Sequence, residues 1–249
     1  MADITLCVGD AHVEPGQNLR RFSALGRLTR DVSPDRIVLM GDFGSFDSLS
    51  AWDRDKRRKM EGRRYIRDCE SVRTALTLME SSAGKKMWTG THRIFLEGNH
   101  EDRVTRYLNT DPTFEGSVGV HKDCFADWQW VPFKSEFRHN GVSFTHIPHN
   151  EAGKAIGGKD VCSKALGIYH NSVVFGHTHQ LAVGCVHRHN APHLNQAVNV
   201  GCFFEHVAEY AQGSVTSYWR GVVVLKHTSW NRVDVETISM SRLKSEYKV

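Results

Sequence analysis

The sequence predicts an α/β fold in which a largely parallel β-sheet packs against a second sheet. Two observations predict it: strand-like and helix-like segments alternate in the first half of the chain, and strand-like segments fill the second half. The 249 residues suffice for a sizeable core, and no repeat, low-complexity tract or proline-rich linker divides them. We therefore expect one domain over residues 1–249, with a charged helical insertion around residues 46–84.

The first half of the chain has the pattern of strand–helix–strand units. Residues 4–8, 36–40 and 93–97 are short, largely apolar runs, and a glycine directly follows each of them. Such runs are typical of buried strands. The apolar positions of an amphipathic helix between the first two runs are Leu19, Phe22, Leu25 and Leu28. This order favours parallel strands joined by crossover helices.

The second half of the chain is richer in strand patterns. Its apolar or alternating runs cover residues 142–145, 172–175, 183–186, 197–200, 221–225 and 233–238. A short helix is expected around residues 161–166, between the first and second of these runs. Because the first sheet is already formed by earlier strands, we expect these segments to build a second sheet packed on it.

Composition indicates a protein without a membrane span or secretory signal, since no stretch of eighteen apolar residues and no basic, apolar leader is visible. The six cysteines are scattered and form no C-x-x-C pair, which is typical of reduced thiols in a cytoplasmic protein, with several of them in the core. A bacterial or phage origin is the expectation that fits best. The net charge of +4 permits a polyanionic partner, and the fifteen histidines suggest metal or proton chemistry.

Potential metal ligands follow five successive predicted strands. Loops at the carboxyl ends of parallel strands meet at one edge of a sheet, so these side chains are expected to share a site. A turn or a helix cap could explain any one of them alone, but five coincidences together favour a common function. The residues are Asp10, His12, Asp42, Asn99, His100, His146, His177 and His179.

The donor types in this set indicate the class of metal. Apart from His100, the set offers two carboxylates, four imidazoles and one amide oxygen, which suit borderline divalent ions such as Mn²⁺, Fe²⁺, Ni²⁺ or Zn²⁺. They are too rich in nitrogen for a dedicated Ca²⁺ or Mg²⁺ site. Seven ligands exceed the need of one tetrahedral ion, so two ions sharing a carboxylate are the simplest arrangement.

The ordered blocks Asp-x-His, Gly-Asp, Gly-Asn-His, His and Gly-His-x-His, spanning Asp10 to His179, resemble those of the calcineurin-like metallophosphoesterase superfamily. A weaker likeness lies in residues 199–202, which are similar to an Asn-x-Gly-Ser stretch of that family. The resemblance implies a sandwich of two mixed β-sheets flanked by helices. It also implies hydrolysis of phosphate esters by a hydroxide bridging two divalent ions, with Mn²⁺ preferred and Fe²⁺, Ni²⁺ or Zn²⁺ as alternatives.

The resemblance also implies a role for each residue. One ion would be held by Asp10, His12 and His179, the second by Asn99, His146 and His177, and Asp42 would bridge them. His100 would contact the scissile phosphate and protonate the leaving oxygen. The residues expected to contact substrate are Asn99, His100 and Arg103.

The second block departs from part of the superfamily. Ser45 stands where many relatives have a second aspartate, Asp47 comes two residues later, and the Asp-Arg-Gly element of phosphoprotein phosphatases is missing. This favours a phosphodiesterase acting on a nucleotide or on DNA or RNA. The alternatives are a phosphomonoesterase acting on a small metabolite or phosphoprotein, and a non-catalytic binding module on the same fold.

Two segments are candidates for substrate recognition. In residues 51–70, eight basic and five acidic side chains leave a charge of +3. Farther along, Arg103, Arg106 and Tyr107 precede Trp128 and Trp130. Cations and aromatic rings could bind phosphates and stack on bases. The alternative is that the charged segment is a solvated helix face and that both tryptophans belong to the core.

Overall fold

The computed structural model describes residues 3–189, 193–206 and 218–249 and contains two mixed β-sheets. The strands of the first sheet, in spatial order, are β11 (Arg232–Ser239), β10 (Gly221–Ser229), β1 (Asp3–Val8), β2 (Arg36–Leu39), β3 (His92–Leu96) and β4 (Gln129–Val131). Those of the second are β5 (Phe137–His139), β6 (Val142–Thr145), β7 (Ser172–Phe175), β9 (Leu194–Val200) and β8 (Leu181–His187).

Each sheet combines parallel and antiparallel strands. Strands β1 to β4 run parallel, whereas β10 pairs antiparallel with β1 and β11 with β10. In the second sheet, β6, β7 and β9 are parallel, whereas β5 and β8 are antiparallel to their neighbours. The α/β fold with two mixed, packed sheets is therefore confirmed.

Alternation along β1 shows how the layers pack. Leu6 and Val8 lie in the cluster shared with the helices, whereas Cys7 between them lies in the cluster between the sheets. Successive side chains of a strand point to opposite faces, so β1 is buried on both sides. Across the interface, Phe144 of β6 and Val174 of β7 belong to the same inter-sheet cluster.

Helices cover the outer faces of both sheets. The first sheet is covered mainly by α1 (Arg20–Val32), α3 (Tyr65–Ala83) and α7 (Met240–Tyr247), and the second by α6 (Val161–Ile168). The remaining helices are α2 (Arg57–Met60), α4 (Lys85–Trp88) and α5 (Asp102–Thr110). Helices α2, α3 and α4 all lie between β2 and β3. Among the described residues, no helix is long and apolar enough to cross a membrane.

The sequence left open whether Trp128 and Trp130 belong to the core or contact a substrate. Trp128 is 6% exposed, and the Trp130 ring on β4 packs against Phe95 and Phe125 with centroid separations of 4.7 and 5.7 Å. Both tryptophans therefore serve packing, and the suggestion that they stack on bases is wrong. Strands β4 and β5 were not predicted, because three-residue strands are too short to show a periodic pattern.

Candidate metal centre

The eight side chains singled out in the sequence converge at one end of the sandwich. Each follows the carboxyl end of a strand: β1, β2 and β3 in the first sheet, and β6 and β7 in the second. Five of the side chains are buried, and those of Asn99, His100 and His177 are half-buried. The loops that carry them thus enclose a common polar pocket between the sheets.

The first group consists of Asp10, His12 and His179. Nε2 of His179 lies 3.0 Å from Oδ2 of Asp10 and 3.2 Å from Nε2 of His12. One potential ligand atom from each side chain lies within 4.8 Å of those of the others. Two imidazole nitrogens and a carboxylate oxygen therefore face one small volume.

The second group surrounds His146. Its Nδ1 lies 2.8 Å from the carbonyl oxygen of Met40, which directs Nε2 into the pocket. There Nε2 is 3.1 Å from Oδ1 of Asn99 and 3.3 Å from Oδ2 of Asp42. The His177 ring lies 5.3 Å from the His146 ring, between centroids. Asp42 contributes ligand atoms both to this group and to one with His12 and His100, so it lies between the two sides of the pocket.

The backbone is bent to bring these groups together. His12, Asp42, His177 and His179 all have positive φ angles, between 42° and 67°. Non-glycine residues rarely adopt such angles. Those that do are held there by the surrounding structure, and they are concentrated at functional sites. Close approach adds a further constraint at Gly176, where a Cβ would lie 2.6 Å from Oδ1 of Asp10.

Electrostatics favours anionic carboxylates in the pocket. Burial opposes the ionisation of Asp10, but the neighbouring His179 overcomes it and lowers the pKa of Asp10 to about 2. The pKa of Asp42 is also lowered, despite burial, by His146 and His100. In turn, Asp42 overcomes the effect of burial on His146 and raises the pKa of His146 to about 9.

Two other imidazoles of the pocket favour the neutral form. Burial and the nearby His100 lower the pKa of His12, and burial and His146 lower that of His177. Neutral imidazole and ionised carboxylate are the forms that bind metals. In the protein without metal, the protonated form of His146 supplies the positive charge beside Asp42. The buried donor set therefore fits a pair of divalent ions.

Comparison with known proteins assigns this chain to a family. A model of the calcineurin-like phosphoesterase family matches residues 5–181. The chain belongs to that family. A comparison with curated proteins finds no matching sequence.

Similar solved structures include Vps29 from Entamoeba histolytica in complex with Zn²⁺, which is 11% identical. That alignment covers 95% of this chain and 99% of that chain, with a TM-score of 0.42. Vps29 from Chaetomium thermophilum is 10% identical over 95% of this chain and 97% of that chain, with a TM-score of 0.40.

The sequence analysis did not identify one buried residue of this site. Glu101 is fully buried, and its carboxylate accepts the backbone N–H groups of Asp42, Gly44 and Gly98 at 2.9–3.0 Å. Burial and the charge of Asp42 raise the pKa of Glu101 to about 8. Glu101 thus joins the loops after β2 and β3. Its position directly after the Asn99–His100 pair was the available signal.

Residues 199–202, the weaker sequence likeness, support the last loop. Asn199 is fully buried at the end of β9, and its side-chain amide donates to Oγ1 of Thr178, between His177 and His179. Cys202 forms an isolated bridge with Asp10. These residues therefore position the histidine loop and the first aspartate.

His100 and Arg103 form the exposed side of the centre. The His100 ring lies 4.5 Å from that of His12, and its Nδ1 is 2.9 Å from the carbonyl oxygen of Ser45. Arg103 donates to the same carbonyl and to Asp47, and its second terminal nitrogen lies 3.2 Å from Nε2 of His100. Burial lowers the pKa of His100, and Arg103 adds to this effect against the opposing charge of Asp42.

Two clefts open from this side. The first, of about 630 Å³, is lined by His12 and His100 and extends to Lys56 and Arg63. The second, of about 300 Å³, is lined by Asn99 and extends to residues of α5. Arg103 lines both clefts, so they approach the centre from two sides.

A further histidine cluster lies at the other end of β1. Asp3, His139 and His227 also bring ligand atoms within 4.8 Å of one another. There, however, Arg36 forms an ion pair with Asp3, whose other oxygen lies 2.6 Å from Nε2 of His139. A fixed guanidinium already neutralises the carboxylate, so this cluster is an ion-pair network that joins the two sheets.

Proposed function

We propose that this protein is a divalent-metal-dependent phosphodiesterase that hydrolyses a nucleotide or nucleic-acid phosphodiester. The observation that carries the proposal is the convergence of seven donor side chains beside His100 and Arg103, at the meeting point of two clefts. The assignment to a phosphoesterase family supports the ester chemistry.

The two groups of donors suggest how the ions are divided. Asp10, His12 and His179 would hold one ion, and Asn99, His146 and His177 the other. Asp42 would bridge them. Two such ions supply Lewis acidity, which lowers the pKa of water and stabilises negative charge on phosphate oxygens. We expect Mn²⁺ to be the preferred ion, with Fe²⁺, Ni²⁺ or Zn²⁺ as alternatives.

His100 and Arg103 would act on the substrate itself. Arg103 places a fixed positive charge beside His100, where it can neutralise a phosphate oxygen. An anionic phosphate bound there would raise the pKa of His100, because the anion stabilises the imidazolium form. His100 could then donate its Nε2 proton to the leaving oxygen. The carbonyl oxygen of Ser45 would hold the other ring nitrogen, Nδ1, and so fix the direction of the ring.

The two clefts favour a diester over a monoester. A phosphodiester has a substituent on each side of the phosphorus atom, whereas a monoester needs room on one side only. His100 lines the first cleft and Asn99 the second, so both sides of the pocket lead outward. Asp47, moreover, is paired with Arg63 and Arg103. Asp47 therefore does not take the role of the second aspartate, whose position is occupied by Ser45.

The test compares bis-(p-nitrophenyl) phosphate with p-nitrophenyl phosphate. The protein is stripped with a chelator and reloaded with Mn²⁺, Ni²⁺, Zn²⁺ or Mg²⁺. We expect activity only after reloading, highest with Mn²⁺ and on the diester, and abolished by Asp42→Asn. Higher kcat/KM on the monoester would assign a phosphomonoesterase. Metal uptake without turnover of either ester would assign a binding module.

A further inference from the structure

Trp52 is an unusually exposed aromatic residue beside the centre. It is 86% exposed, yet it lines both clefts. The neighbouring Asp53 is buried and accepts from Oγ of Ser50 at 3.3 Å and from Nζ of Lys56 at 2.7 Å. The turn is thereby fixed on both sides of Trp52. This hydrogen-bonded loop therefore keeps the indole of Trp52 in solvent.

The cations around Trp52 differ in how they are used. Lys56 and Lys59 are both paired with Asp53, at 2.7 and 2.9 Å. By contrast, Arg54, Arg57 and Arg58 are exposed, and the described residues give them no ion pair. Their charges are therefore available to a ligand.

These arginines extend both clefts away from the metal centre. Arg54 lines the second cleft together with Arg106 and Tyr107. Arg57 and Arg58 line a groove of about 570 Å³ that shares Lys56, Lys59 and Arg63 with the first cleft. Positive charge thus continues outward on each side of the centre, with Trp52 between the two directions.

We propose that this surface binds single-stranded nucleic acid, with a base stacked on Trp52 and backbone phosphates on Arg54, Arg57 and Arg58. The proposal rests on the proposed function and names its substrate. A polyanion long enough to occupy both clefts would present one phosphodiester to the metal centre. Stacking on Trp52 requires an unpaired base, because the base faces in a duplex are covered by their neighbours.

Binding is measured with the metal-stripped full-length protein and a fluorescently labelled thymidine 20-mer, by anisotropy over a range of salt concentrations. We expect Trp52→Ala to weaken binding about 5- to 100-fold, as loss of one base–aromatic stack does. Arg57→Ala combined with Arg58→Ala should instead reduce the salt dependence of log K, by about 0.7 for each lost phosphate contact. Trp230→Ala and Arg242→Ala, exposed residues outside both clefts, are the matched controls.

Turnover of bis-(p-nitrophenyl) phosphate separates this inference from the proposed function. This small ester has no base to stack and no further phosphates, so Trp52→Ala should lower kcat/KM for the oligonucleotide by a larger factor than for the ester. Equal binding by Trp52→Ala and the unmodified protein would overturn the inference, as would tighter binding of a duplex of the same length. Failure to hydrolyse the small ester would overturn the proposed function alone.

Discussion

The buried carboxylate of Glu101 accepts the backbone N–H of Asp42 through Oε2 at 3.0 Å. The same oxygen accepts the N–H of Gly98, and Oε1 accepts that of Gly44. One side chain therefore fixes the loops that carry Asp42, Asn99 and His100. All three bonds come from backbone N–H groups, so Glu101 acts on the site through the backbone.

Replacing Glu101 by glutamine should loosen these loops. An amide has one acceptor oxygen, and its NH₂ group would face a backbone donor, so at least one buried N–H loses its partner. We expect the free energy of unfolding to fall by about 1–3 kcal/mol and the affinity for Mn²⁺ to fall about tenfold. Denaturant unfolding and isothermal calorimetry measure the two effects.

The matched control is Glu97→Gln. Glu97 is also a buried glutamate at the end of β3, but it accepts the backbone N–H of Phe133. Its replacement should leave metal affinity unchanged. An equal loss of Mn²⁺ affinity in both variants would show that Glu101 has no special part in arranging the centre.

His100→Ala should retain both ions and lose turnover in proportion to the difficulty of the leaving group. Loss of a proton donor lowers kcat by about 10²- to 10⁴-fold when the leaving alkoxide is poor, and by less when it is p-nitrophenolate. Metal content by mass spectrometry and kcat on an alkyl and a nitrophenyl diester give the comparison. The exposed His170→Ala serves as the control. An identical loss on both esters would remove the proton-donor role.

Gly176→Ala should disrupt the centre without touching a ligand. The added methyl would lie 2.6 Å from Oδ1 of Asp10, which must move away from His179. Overpacking of this kind destabilises proteins by about 1–3 kcal/mol, and metal affinity should fall with it. Gly167→Ala in α6 is the control, since a Cβ there has no neighbour within 4 Å. Normal metal binding by Gly176→Ala would show that the Asp10 position tolerates displacement.

Stability should decline as pH falls from 7 to 4, in part because of His121. This residue is 1% exposed, and burial, with a smaller effect of Lys122, lowers its pKa to about 4. The ordinary pKa of histidine is about 6.5. Between these pH values the unfolded chain therefore binds a proton at His121, whereas the folded protein does not. The unfolding free energy therefore falls with pH, by up to about 3 kcal/mol from this residue.

The measurement is urea unfolding of the metal-stripped protein at several pH values. His121→Asn keeps a hydrogen-bonding group near the Tyr65 hydroxyl, which lies 3.0 Å from Nδ1. It should flatten the pH dependence, whereas the exposed His170→Asn should not. Parallel pH profiles for His121→Asn and the unmodified protein would contradict the assignment.

The sequence predicted that these side chains converge, because their signal is local. Asp10, Asp42 and Asn99 each follow a glycine that comes just after a strand apolar enough to recognise, and parallel strands bring such positions together. A second sheet was also expected, and the short edge strands β4 and β5 were not. The expectation that the runs at residues 221–225 and 233–238 belong to the second sheet is wrong, because they form β10 and β11, which pair antiparallel beside β1 in the first sheet. Trp128 and Trp130 show the limit: an aromatic pair beside arginines has the same pattern whether it faces solvent or the core. Trp52 is the opposite case. Its ring is exposed, and only the packing of its loop shows this.

The centre draws on both layers of the sandwich. Asp42 comes from the first sheet and His146 from the second, and the Met40 carbonyl oxygen already links the two at 2.8 Å. Neither layer alone carries a complete donor set. Binding of the proposed ions would therefore follow the packing of the two sheets during folding, and the bound ions would cross-link the sheets. Heat or denaturant would then have to extract the ions before the layers could separate.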